Sequence, residues 1–159
     1  MRRIVLSFGL GVAVFWSAAC FGGSAPVDTV APVQTTALLL QTDRLGIGDS
    51  VRIVVRDQNR WDEVWSQATS NEPAARLDRP VDFTTEMVLV AAAGRMDTGA
   101  QIRIDSVGVR GEELVATVVT TRDCRSFASD VYPLVMVRVA ATEQRVRWIE
   151  RRESTARCR

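Results

Sequence analysis

The residues best suited to chemistry in this chain are acids and thiols. The candidate carboxylates are Asp82, Glu86, Asp97, Asp105, Asp123 and Asp130, and a pair of carboxylates is enough for glycoside hydrolysis or aspartic-type proteolysis. None stands in a catalytic signature, and most fall where the flanking pattern predicts strand ends or turns, the ordinary place for a solvated Asp. Asp82, between Val81 and Phe83, reads as a turn or cap acceptor. The chain contains no His, which removes the commonest general base and every Ser-His or Cys-His nucleophile pair. Zinc sites built on His are excluded, and three Cys cannot complete a four-Cys site. No D-x-D-x-D loop offers calcium ligands. The reading therefore assigns no catalytic, cofactor or metal residue and expects a protein that is not an enzyme.

The thiols depend on where the protein lives. The start, MRRIVLSFGLGVAVFWSAAC, has the parts of an export signal: Arg2 and Arg3, an apolar stretch from Ile4 to Trp16, then Ser17, Ala18 and Ala19. That stretch is shorter than the roughly 20 apolar residues of a spanning helix. It resembles a bacterial lipoprotein signal over residues 1–19, in which Cys20 becomes the lipid anchor. Ser17 departs from the Leu usual at its position, so cleavage without lipidation stays open. In an oxidising compartment lipidation of Cys20 leaves Cys124 and Cys158 as an even pair, whereas plain cleavage leaves an odd thiol. A Cys124–Cys158 bridge would staple the chain end to the domain, worth about 4 kcal/mol in the chain-entropy account. Residues 20–36, rich in Gly, Ser, Pro, Ala and Thr, read as a flexible tether.

The elements that must position these groups lie in residues 37–159. The chain's 159 residues suit one domain, and 47% hydrophobic with 25% charged residues argues against wholesale disorder. The net charge of +1 and twenty scattered basic residues, all Arg, form no stripe for nucleic acid. TALLLQ reads as a strand. SVRIVVRD alternates, with Val51, Ile53 and Val55 on one face and Arg52 and Arg56 on the other. Trp61, Val64, Trp65 and Ala68 share one helical face, with Asn59 as the candidate N-cap. Trp61 and Trp65 are expected in the core, as is Phe83. Met87 to Ala93 is a continuous apolar run, which predicts a central strand buried on both faces. GRMDTG follows as the turn of an expected hairpin. AQIRIDSVGVR alternates with a change of phase at Asp105-Ser106 that a β-bulge would explain. LVATVVTTR, VYPLVMVRVA and RVRWIE complete the strands. The fold class is α+β: a mostly antiparallel sheet of six or seven strands, largely hairpin-connected, with one helix packed on it.

From Arg44 to Ala140 the chain resembles the PrcB C-terminal domain family, a domain of a bacterial lipoprotein subunit of an exported protease complex. The resemblance rests on the paired Trp61 and Trp65, on Val81-Asp82-Phe83 and Met87-Val88, on Gly94 and Thr98-Gly99, and on Tyr132-Pro133. Two positions depart from the family pattern: Gly99-Ala100-Gln101 stands for Gly-Gly-Tyr, and Tyr132-Pro133 for Pro-Tyr. The resemblance implies a non-catalytic accessory module that stabilises or assembles an envelope partner, an exported protease among the candidates. The chain would meet the membrane through its N-terminal lipid and would not meet nucleic acid. Arg95, Met96, Asp97 and Thr98 form the candidate interaction loop, since Met adapts to irregular surfaces. The alternative is a peptidase inhibitor acting through the same loop.

Overall fold

The computed structural model describes residues 31–32, 37–44, 47–70, 80–122 and 129–154. In chain order the elements are β1 (Ala31–Pro32), β2 (Ala37–Thr42), β3 (Ser50–Val55), α1 (Gln58–Ala68), β4 (Glu86–Ala93), β5 (Met96–Asp97), β6 (Gln101–Arg110), β7 (Glu113–Arg122), β8 (Asp130–Val131), β9 (Leu134–Ala140) and β10 (Arg145–Ser154). The fold is α+β and mostly antiparallel, with one helix and seven strands of six residues or more among the described residues. None of these residues forms a helix long and apolar enough to cross a membrane.

The strands make two four-stranded sheets and a short ribbon. The helix-side sheet runs β2-β9-β4-β3, the outer sheet runs β1-β6-β7-β10, and β5 pairs with β8. Alternation explains the layering. On β4, Val88, Val90 and Ala92 join Trp61, Val64 and Ala68 of α1 in one core, while Met87, Leu89 and Ala91 join Ile102, Leu114 and Val118 in a second. β9 divides in the same way, with Leu134 and Met136 toward the helix and Val135, Val137 and Val139 toward the outer sheet. Both strands are covered on both faces, so their sequences read as near-continuous apolar runs. The layers are thus helix, sheet, sheet.

Several expectations hold in detail. β4 is central, and its neighbours are β9 and β3. The β6–β7 register shifts between Ile104 and Ser106, where the phase change predicted a bulge. Trp61 is buried, with its ring centroid 5.1 Å from that of Trp65 and 6.4 Å from that of Phe83; the latter two are half-buried.

Others are corrected. The Gly94–Gly99 segment is not a hairpin turn, because β4 and β6 belong to different sheets. It crosses from one layer to the other. Among the described residues the only neighbouring long strands joined by a tight turn are β6 and β7, through Gly111 at φ 61°. β10 lies parallel to β7 over ten residue pairs, after the chain has visited the other sheet as β9. The helix starts at Asp57, whose side chain accepts from the Arg60 N–H at 2.8 Å, rather than at Asn59. Ala31–Pro32, inside the segment read as tether, pairs with Val109 and Gly108 at a sheet edge, where a Pro is tolerated. Cys20, Cys124 and Cys158 lie outside the described residues.

Candidate interaction site

The connector from Gly94 to Ala100 is held at each step. Gly94 takes φ 73°, and a Cβ there would stand 2.9 Å from the Ser50 nitrogen. This close approach lets the chain leave β4 beside the start of β3. Arg95 pairs with Asp130, Nε to Oδ1 at 3.0 Å. The Asp130 carboxylate, first by its hydrogen bond and then by its charge, raises the Arg95 pKa above its usual value. Met96 and Asp97 pair with Val131 and Asp130 in the two-stranded ribbon. The Thr98 N–H and hydroxyl both donate to the Ser129 carbonyl, at 3.2 and 2.6 Å. Met96 is half-buried, and Thr98 too, so the segment carries its charges outward and its Met partly inward. That differs from the protruding turn expected of the candidate interaction loop. Gly94→Ala is expected to lower stability by about 1–3 kcal/mol, the range for a non-Gly residue forced into the left-handed region. Urea titration checks this against Gly48→Ala, whose added methyl meets nothing within 4 Å and leaves the midpoint in place.

Beside this connector lies a cleft of about 570 Å³, bounded by the start of β3, the end of β4 and the final turns of β7 and β10. Arg52, Arg95, Met96, Arg122, Glu150 and Arg152 line it. Arg52 is the fixed point. Its Nε and Nη2 donate to the two Glu150 oxygens, each at 2.8 Å, and its Nη1 donates to the carbonyls of Val51 and Ala92 at 2.7 and 2.6 Å. A bidentate fork of this kind adds direction as well as attraction. Arg56 repeats the motif further along, donating to the Thr142 and Gln144 carbonyls at 3.1 and 2.9 Å. The arginine face of β3, which alternation alone presents as solvated, therefore clamps the helix-side sheet to β10 and to the turn before it.

Four guanidinium groups and two carboxylates, Glu150 and Glu153, meet at this cleft. Glu150 is engaged by Arg52, and Glu153 accepts from Arg103 at 3.1 Å. Arg95 is engaged by Asp130, so these guanidinium groups are held on a braced frame, a geometry that suits recognition of carboxylates. No sequence signal marks Arg52 as part of a site, because its partner Glu150 is 98 positions away.

Of the candidate carboxylates, Asp97 and Asp130 stand opposite each other in the β5–β8 ribbon, whereas Asp82, Glu86 and Asp105 sit elsewhere. Asp82 closes a turn, accepting from the Thr84 N–H at 3.0 Å and from the Thr84 and Thr85 hydroxyls at 2.6 and 3.2 Å. It precedes β4 and Asp97 follows it, so at 3.3 Å per residue roughly 26 Å of strand separates their backbones. Asp105 sits on the outer sheet with Arg103 at 3.3 Å and Arg151 at 4.0 Å. Glu86 pairs with Arg138, and Asp130 with Arg95. Asp123 lies outside the described residues. Among the described residues no group of three or more His, Cys, Asp or Glu could hold a metal ion.

No family model, curated protein or solved structure matches the chain.

Proposed function

We propose that this chain is an exported, lipid-anchored accessory module that stabilises or assembles an envelope partner by contact, an exported protease among the candidates. The observation that carries the reading is the cleft beside the Arg95–Thr98 connector. It presents several guanidinium groups on a braced frame, while Asp82 is committed to a turn and Glu86, Asp105 and Asp130 to ion pairs. The export-type start, the Gly- and Pro-containing stretch after Cys20 and the resemblance to the PrcB C-terminal domain family support the same reading. The inhibitor reading draws less support, because Met96 sits half-buried in the ribbon rather than at a protruding tip.

The intact mass of chain extracted from native membranes without reductant tests the address. The expected species starts at Cys20, carries acyl chains there, and is lighter by the two hydrogens of a Cys124–Cys158 bridge. Two or more acyl chains would anchor it stably. A cytosolic chain with three unmodified thiols, or turnover of any substrate by the purified protein, overturns the proposal.

A further inference from the structure

Among the described residues the longest unpaired edge belongs to β10. It pairs with β7 along all ten residues, and no other strand pairs with it among the described residues. Alternate residues of a strand turn their N–H and C=O groups to opposite edges, so the side away from β7 offers a row of donors and acceptors that another extended backbone can fill.

The side chains of this edge select the occupant. Arg145, Arg147, Arg151 and Arg152 are all exposed, against Glu150 and Glu153. Both acids are already held, by Arg52 at 2.8 Å and by Arg103 at 3.1 Å. Arg147 stands 3.7 Å from Glu113 and Arg151 4.0 Å from Asp105, at the long limit of an ion pair. The edge therefore carries net positive charge. Trp148 and Ile149, half-buried at its centre, supply apolar surface. A second copy of the chain would bring the same surplus of positive charge to the edge, which disfavours β10 pairing with itself. The edge also flanks the cleft, whose wall includes Glu150 and Arg152.

We infer that the free edge of β10 receives an extended acidic segment of a partner protein, added as a further strand of the outer sheet with its carboxylates on the β10 arginines. The inference rests on the accessory-module reading and names the chemistry of the partner. A polypeptide is favoured over a nucleic acid because the open backbone row has a use only for a second extended polypeptide chain.

The test uses the full exported chain in detergent and a fluorescent peptide of alternating glutamate and valine, matched in length to β10 and followed by anisotropy. The peptide is expected to bind and to be released by high salt. N-methylation of its alternate backbone nitrogens is expected to weaken binding roughly tenfold or more, since it blocks strand pairing while keeping the charge. Arg145→Glu with Arg151→Glu, two arginines on one face of β10, is expected to weaken it by a similar factor, roughly tenfold, with an almost unchanged unfolding midpoint. No binding of the acidic peptide, equal binding of the N-methylated form, equal binding of a lysine-valine peptide, or equally tight binding of a single-stranded oligonucleotide each overturns the inference. Such a failure leaves the mass of the membrane-extracted chain untouched, so it is distinguishable from a failure of the accessory-module reading.

Discussion

Replacing Glu86 with alanine is expected to cost the fold about 3–5 kcal/mol, the range for removing one partner of a buried ion pair. Glu86 alternates with Val88 and Val90, and Arg138 with Leu134 and Met136, so both project on the helix side of the central sheet. Their side chains are 17% and 8% exposed, and Arg138 Nε lies 3.4 Å from Glu86 Oε2. The approach is close enough for an ion pair, but Nε is not aligned as a hydrogen-bond donor. The same carboxylate oxygen lies 3.4 Å from the Asp82 N–H, which ties the pair to the turn that launches β4. Truncating Glu86 leaves a guanidinium in an apolar layer with less to neutralise it. Replacing both residues together, Glu86→Leu with Arg138→Met, is expected to recover most of the loss, because an apolar pair has no charge to desolvate. A double-mutant cycle by urea unfolding reads the coupling directly. A cost below about 1 kcal/mol for Glu86→Ala would mean that water reaches Arg138.

Leu89→Ala carries the second large effect. Leu89 is fully buried at the middle of β4, and its register partners are Val54 and Val137. All three face the outer sheet, in the core that holds the two sheets together. Deleting the side chain there opens a cavity between two sheets that are also braced by Arg52 and Arg56, so the layers cannot close freely. The expected cost is about 3–5 kcal/mol, the upper part of the range for large-to-small changes in a core that relaxes little. Leu38→Ala is the matched control: Leu38 is 60% exposed on an edge strand and is expected to shift the urea midpoint hardly at all. A loss of similar size at both positions would contradict the two-core arrangement.

Much of the local structure is legible in the residues. The Met87–Ala93 run could only be a strand covered on both faces, and it is. The Trp61, Val64, Trp65, Ala68 stripe sets the buried face of α1, and the phase change at Asp105-Ser106 marks the bulge. The start of α1 was not determined by that stripe, since Asp57 and Asn59 are both good cap residues and a stripe defines a face rather than an end. The larger misreading concerns connections. A glycine-flanked turn such as GRMDTG looks the same whether the chain returns along its neighbour or steps into the facing layer. Only long-range packing decides, and short consecutive strands made the hairpin the default. The same limit hid the parallel partner of β10 and the inward role of Arg52, whose alternation with Val51 and Ile53 marks a change of face but not what covers it. The ion-pair partners of Arg52 and Arg138 are distant in sequence, so neither pair leaves a local pattern.

The central proposal is that the cleft side of the domain is a contact surface. Site-specific photo-crosslinking in native membranes measures that, with a photoreactive residue at Arg95 or Arg152 on the cleft and at Glu63 on the exposed face of α1. The expected result is a discrete adduct with an envelope protein from both cleft positions and none from Glu63. Adducts from Glu63 alone, or no adduct from Arg95 and Arg152, would contradict it.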